Sequence, residues 1–525
     1  MADVRNVLFI MCDQLRADYL GCAGHPYIRT PFIDALAEQG VRFTRAFCNA
    51  PVCGPSRASF YTGRYPVSHG ANYNNFPLRV DEWTLADYLE PLGVRTALAG
   101  KTHMNPDVAG MERLGIDPGT DLGIRIAQTG FEPFERDDGL HPDQNFDPDL
   151  AYNRYLRAHG YHSENPWNDF ANAAEDESGN ILSGWYLRHA ARPARVREEH
   201  SETPYMTDRA IDFIRDAGDT PWCLHLSYIK PHWPYIAPAP YHARYNADHV
   251  IAANRDSGEK TDPNPVVAAF MAHEESETFS NDACRLTVIP TYMGLVEQID
   301  RHVGRLVREL KESGRWDDTL IVFTSDHGDF LGDHWLGEKE LFYEESLRIP
   351  LIIRDPSASA DGTRGGVRDD LVESVDLVPT FIDALSGSVP STRLEGRSLI
   401  PLLRDDALAE RWRDCVYSEF DYCLRRARLT LGLEPHEARG FMVRTSQWKF
   451  VYFPRHPPQL FDLVNDPHEL RDLGRDPGCQ AMRDEMGSRL LEWFSLRRNR
   501  TTVSDERIRE ATGKARERGY IFGAW

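Results

Sequence analysis

Four short apolar runs mark the first two-thirds of the chain, and each breaks off into a polar cluster. Residues 7–11 lead into Cys12-Asp13-Gln14, and residues 96–99 into Gly100-Lys101-Thr102-His103. Residues 223–227 precede Lys230-Pro231-His232, and residues 320–324 precede Ser325-Asp326-His327-Gly328. Unbroken apolar strands separated by helical segments read as a parallel sheet covered on both faces. Ligands of such sheets gather outside the carboxyl ends of the strands. Four clusters far apart in sequence are therefore expected along one edge.

Between the runs the apolar period becomes helical. Segment 30–40 places Thr30 as a cap, Pro31 at the first helical position and Gly40 as the stop. Leu295, Val296, Ile299, Val303, Leu306 and Leu310 share one helix face, with Gly314 beyond the end. The fold class is α/β, a large mostly parallel sheet sandwiched by helices over residues 1–400. Residues 104–200 depart from this pattern. They are rich in Asp, Pro, Gly, His and Asn with isolated Trp167 and Trp185, and read as an irregular insertion over the site that sets specificity. Residues 401–500 read as a smaller C-terminal α+β subdomain. Its antiparallel strands fall at 416–420, 441–444 and 449–453, with Thr445-Ser446-Gln447 as a turn, followed by a helix through Met482, Leu490, Leu491 and Phe494. The tail 501–525 is charged and closes on Tyr520-Ile521-Phe522-Gly523-Ala524-Trp525. It docks either on a neighbouring subunit or on its own chain.

Composition narrows the function. The chain has 525 residues, 41% of them apolar, and a net charge of -21. A polyanion such as nucleic acid is repelled, so a small anionic substrate must be captured by a local cationic pocket. Run 7–11 is too short for a signal peptide, and no stretch is long enough to span a membrane, so a cytoplasmic location is expected. Nine scattered Cys do not suggest a disulfide framework.

The remaining signal is Cys53-Gly54-Pro55-Ser56-Arg57, just ahead of a helix. Taken alone, Cys53 reads as an ordinary buried thiol. Taken with Gly100-Lys101-Thr102-His103, Lys230-Pro231-His232, Ser325-Asp326-His327-Gly328 and Gly337-Glu338-Lys339, in that order, the chain resembles the type I, formylglycine-dependent sulfatases of the alkaline phosphatase superfamily. It is similar in particular to their phosphonate monoester hydrolase and choline-sulfatase-like branch. The resemblance runs from the first strand to Asp466-Pro467-His468-Glu469, nearly the whole chain.

The resemblance implies an alkaline phosphatase-like fold and oxidation of Cys53 to formylglycine (3-oxoalanine) by dedicated machinery of the host. One hydroxyl of the aldehyde hydrate attacks a sulfate monoester and expels the alcohol, giving a covalent sulfo-enzyme. The second hydroxyl then loses a proton, and sulfate leaves as the aldehyde re-forms. The resemblance also implies one divalent metal ion, Ca²⁺ or Mn²⁺, held by Asp13, Gln14, the oxidised Cys53, Asp326 and His327. Gln14 and His327 stand where many sulfatases have Asp and Asn, and an imidazole ligand shifts preference toward Mn²⁺. Arg57 would favour the ionised diol, aided by the helix N-terminus. Lys101 and His103 would flank the diol, with His103 as the base of the release step. His232 would protonate the leaving oxygen, and Lys339 would hold a sulfuryl oxygen. Lys230 and Asn74 would join His232 and Lys339 in binding substrate. The expected substrate is a small anionic ester, an aryl sulfate first, with a phosphonate monoester or phosphodiester as the alternative. A metal-binding pseudo-enzyme with unmodified Cys53 is a third reading. Multimeric relatives imply a homodimer or homotetramer.

Overall fold

The computed structural model describes residues 4–139, 149–390, 392–404, 412–521 and 523. Among these the main sheet has nine strands: β1 (Asn6–Asp13), β2 (Val41–Phe47), β3 (Arg95–Gly100), β4 (Glu132–Arg136), β7 (Trp222–Pro231), β8 (Thr319–Ser325), β9 (Arg348–Arg354), β10 (Gly366–Arg368) and β11 (Val372–Glu373). A two-stranded ribbon, β5 (Ala173–Glu175) with β6 (Ile181–Ser183), lies apart. The sheet order is β10-β2-β9-β8-β1-β7-β3-β4, with β11 also on β2. The pairs of β1 with β7 and β8, and of β3 with β7 and β4, are parallel, and β9 runs antiparallel to both its neighbours.

The apolar runs supply two cores at once. Along β1, Val7, Phe9 and Met11 enter one apolar cluster while Leu8, Ile10 and Cys12 enter the other. β8 divides in the same way, Leu320 and Val322 against Ile321 and Phe323. Successive strand residues point to opposite faces, so a strand apolar throughout must be covered on both. Each such side chain contributes roughly 1.5–3 kcal/mol on burial. The 31-residue helix Asp282–Glu312 covers one face, ending before Gly314 in the left-handed region (φ 71°).

Two local expectations, the Thr30 cap and the irregularity of residues 104–200, are corrected, and Gly40, which does follow the end of its helix, gains a second reason. Thr30 stands at the N-cap position of helix α1 (Pro31–Glu38), but its hydroxyl does not cap the helix; it donates to Asp34 at 2.9 Å. Asp300 of the long helix accepts the Phe32 and Ile33 N–H groups at 2.9 and 2.7 Å instead. Gly40 is needed for close approach, since a Cβ there would meet the Ile353 carbonyl oxygen at 2.4 Å. Residues 104–200 are less irregular than their composition suggests. They hold helices Val108–Leu114, Asp121–Ala127 and Ala151–Ala158, and β4 extends the main sheet. As an edge strand β4 is only half-buried, so its Glu-Pro-Phe-Glu-Arg sequence is tolerated and gave no apolar signal.

The C-terminal sheet is β12 (Cys415–Asp421), β13 (Arg439–Thr445), β14 (Trp448–Tyr452) and β15 (Gln459–Asp462), antiparallel throughout. Helix Gln480–Ser495 packs on it through Met486, Leu490 and Trp493, while Leu491 is 71% exposed and not part of the packed face. In the tail, Tyr520 and Ile521 are exposed, and Phe522, Ala524 and Trp525 lie outside the described residues. No described helix is long and apolar enough to cross a membrane.

Candidate active site

The parallel strands bring the polar clusters together at their carboxyl ends. The β1–β7 register shifts between Cys12 and Asp13, which turns Asp13 out of the regular ladder. Gln14 follows in the left-handed region (φ 67°), and its N–H donates to Asp326 Oδ1 at 3.0 Å. Cys53 is the first residue of helix α2 (Cys53–Thr62), which is buried along its whole length. Gly54 must be glycine here, because a Cβ would meet Asn74 Cα at 2.9 Å and the Tyr73 carbonyl at 3.0 Å.

Cys53 Sγ lies 3.1 Å from His327 Nε2 and 3.6 Å from Asp13 Oδ1. One donor atom from each of Asp13, Cys53, Asp326 and His327 falls within 4.8 Å of all the others, and all four residues are buried. His327 Nδ1 donates to the Gly328 carbonyl at 2.9 Å, so the Nε2 lone pair faces Asp13 and Asp326, 3.7 Å from each. A carboxylate pair and an oriented imidazole fit a divalent cation of the Ca²⁺ or Mn²⁺ type.

Cations surround this cluster. Arg57 is fully buried: Nε donates to Asp326 at 2.9 Å, one terminal nitrogen to Asp13 at 3.2 Å, and the other to Ser227 Oγ at 2.7 Å and the Lys101 carbonyl at 2.9 Å. The Lys101 ammonium lies 2.6 Å from Asp13 Oδ2. Burial pushes the Asp13 carboxyl up, but Lys101 and Arg57 outweigh it and hold the group well below the usual carboxylate range. Burial pushes the Cys53 thiol up to about 12, with Asp13 adding and Lys339 and Lys101 opposing. Encoded Cys53 is thus a thiol at neutral pH, a weak nucleophile.

Lys339 Nζ donates to Gln14 Oε1 and to His232 Nε2, both at 3.0 Å. His232 Nδ1 faces the Trp233 carbonyl at 2.7 Å, which assigns the proton to Nδ1 and the lone pair to Nε2. The Gln14 amide is oriented by its nitrogen, which donates to Asp329 at 2.6 Å and to the Tyr235 hydroxyl at 3.1 Å. Burial, then Lys101 for His103 and Lys339 for His232, hold both imidazoles well below their ordinary pKa and hence neutral. A cavity of about 660 Å³ is lined by Trp233 and Glu338, the sequence neighbours of His232 and Lys339, with Trp185, Tyr186, Phe279 and Arg425 among others.

The arrangement unites Asp13, Gln14, Cys53, Arg57, Lys101, Asp326, His327, His232 and Lys339. It does not free Lys230 for substrate. That ammonium donates to Asn172 at 2.8 Å and to the Pro234 carbonyl at 3.0 Å, with Glu202 at 3.9 Å. The Asn74 side-chain oxygen Oδ1 accepts from the Gly54 N–H at 2.8 Å, so that oxygen anchors the Cys53 turn. Residues not foreseen include Ser227, Asp329, Tyr235 and Asp138. Asp329 alone carried a signal, as the acid directly after Ser-Asp-His-Gly.

The sulfatase family model matches residues 5–388 of the chain. The chain belongs to the sulfatase family. A model of the N-sulphoglucosamine sulphohydrolase C-terminal region also matches, over residues 332–495 of this sulfatase. The chain is 31% identical over 520 residues to the multifunctional alkaline phosphatase superfamily protein PehA of Trinickia caryophylli, covering 95% of this chain and 96% of that one. It is 28% identical over 483 residues to an arylsulfatase of Clostridium perfringens, covering 89% and 90%. The phosphonate monoester hydrolase SpPMH from Silicibacter pomeroyi superposes with a TM-score of 0.82 at 28% identity, covering 95% of this sulfatase and 98% of that chain. This sulfatase is an ester hydrolase of the alkaline phosphatase superfamily, with a candidate metal cluster at the carboxyl edge of its sheet.

Proposed function

We propose that this sulfatase hydrolyses aryl sulfate monoesters, with Cys53, oxidised to formylglycine, as the point of attack. The observation that carries the reading is the convergence of two buried carboxylates, an oriented imidazole and a cationic collar on the Cys53 side chain. The hydrated aldehyde supplies two hydroxyls, one to attack the ester and one to release sulfate. A divalent ion held by Asp13, Gln14, Asp326 and His327 would lower the pKa of that hydrate and offset charge on the transferred group.

The chain's own residues do the rest. Arg57 fixes Asp13 and Asp326 in place, and its position at the first turn of α2 favours an anion at residue 53. Lys101 and Lys339 offset the negative charge of the ester oxygens. His103, kept neutral by burial and Lys101, takes the proton whose removal releases sulfate. For His232 to protonate the leaving oxygen, its Nε2, which accepts from the Lys339 ammonium at 3.0 Å, must turn from Lys339 to the ester and take up a proton from solvent, while Lys339 keeps its charge. The cavity beyond Trp233 accepts the leaving aryl group against Trp185 and Tyr186.

The likeness to a phosphonate monoester hydrolase over nearly the whole chain supports a second activity, on phosphonate monoesters or phosphodiesters, at the same centre. Each of these esters also carries one negative charge, so promiscuity is expected. Comparison of kcat/KM for an aryl sulfate and the matching aryl phosphonate monoester tests the order. The sulfate is expected to be the better substrate, and a clear advantage for the phosphonate reverses the assignment.

A further inference from the structure

His103 is placed in a way that differs from the other site residues. Its ring has no hydrogen bond from any described residue, and its buried Nδ1 has no partner. The imidazole is therefore aimed by its backbone. That backbone sits in the left-handed region (φ 56°), where a non-glycine residue stays only when its surroundings hold it.

The hold is one carboxylate. Asp138 Oδ1 accepts the N–H groups of Thr102 and His103, at 2.9 and 2.8 Å. Asp138 Oδ2 pairs with the Arg136 guanidinium. Arg136 in turn donates to the Met104 carbonyl at 3.2 Å and to the Gln128 side chain. The residues before and after His103 are thus tied to the same Asp–Arg pair. Asp138 is 7% exposed, so water does not compete freely for its oxygens. A charged acceptor of two adjacent N–H groups fixes peptide orientation as well as position.

We infer that Asp138 is a positioning residue that sets the His103 imidazole for its proton transfer. The inference rests on the role given to His103 in the proposed function. Asp138→Ala frees both N–H groups, and the Lys101-to-Met104 loop relaxes from the left-handed turn. The expected result is a kcat lowered roughly 10–100-fold with KM changed by no more than about threefold. In an His103→Ala background the same substitution costs less than about twofold more, because its target is already gone. A crystal structure of Asp138→Ala should show the His103 ring displaced, a readout independent of turnover. Should Asp138→Ala fold poorly, Asp138→Asn is measured in the same two ways. Additive losses in the double variant, or an unmoved His103 ring, would overturn the inference. Turnover surviving in Cys53→Ala would instead overturn the proposed nucleophile, and the position of His103 would still report on Asp138.

Discussion

Arg57 occupies a place that water does not reach, and its guanidinium is divided among two carboxylates, a hydroxyl and a carbonyl. Its removal would leave Asp13 and Asp326 buried without that charge. Arg57→Ala is expected to cost roughly 3–5 kcal/mol in urea unfolding of metal-free protein. A loss below about 1 kcal/mol, the range of surface pairs, would contradict a stabilising role for this buried ion network. Cys53→Ala makes the opposite contrast, a small uncharged change. The folded state should persist while turnover falls at least about 10³-fold, and appreciable residual turnover would place the nucleophile elsewhere. At this scale the sequence was most legible where polar side chains follow apolar strands, as at Asp13, His103, Asp326 and His327. It was not legible where the partner is remote. Lys230 is drawn off by Asn172, and the start of α1 is satisfied by Asp300, neither of which can be read from local pattern.

The segment between β8 and β9 carries Asp326, His327 and Lys339 and includes six non-glycine residues with positive φ: Leu331, His334, Trp335, Glu338, Glu340 and Leu341. Such a path needs anchors, and His334 is one of them. Its ring stacks on Tyr343 at 3.9 Å, with Nδ1 2.6 Å from Glu259, Nε2 3.3 Å from Glu345, and Asn254 alongside. Burial lowers its pKa, but Glu345 and Glu259 outweigh burial and raise it from 6.5 to about 10. A folded pKa above the unfolded one gives stability that is complete below pH 6.5 and fades as pH rises through about 10. The melting-temperature gap between the wild type and His334→Gln should therefore be widest below pH 6.5 and narrow toward pH 10. A gap that stays constant across that range would contradict the anchor's charge. Strand β4 shows why elements were only partly legible. An edge strand needs no continuous apolar run, so its Glu and Arg residues concealed it.

Across the whole molecule the net charge is -21, so on the proposed reading binding of an anionic ester depends on the local collar of Arg57, Lys101 and Lys339. The sheet itself was legible because both its faces are covered and its central strands are apolar throughout. The cavity beside Trp233 was not, because Trp185, Trp233, Phe279 and Arg425 meet only after folding. Metal binding at the candidate cluster would link site and fold. An ion at about 100 times its Kd should add about 2.7 kcal/mol of stability. Chelation is expected to abolish turnover and lower the melting temperature, and indifference of both would argue against a structural role for the Asp13–Asp326–His327 cluster.

The central claim concerns the chemical state of residue 53, and the tryptic peptide spanning residues 46–57 reports it directly. That peptide also contains Cys48, which serves as an internal thiol standard. In active protein, mass spectrometry after thiol alkylation should find Cys48 alkylated and residue 53 with its sulfur and two hydrogens exchanged for one oxygen. Fully active enzyme in which both positions alkylate would contradict the account.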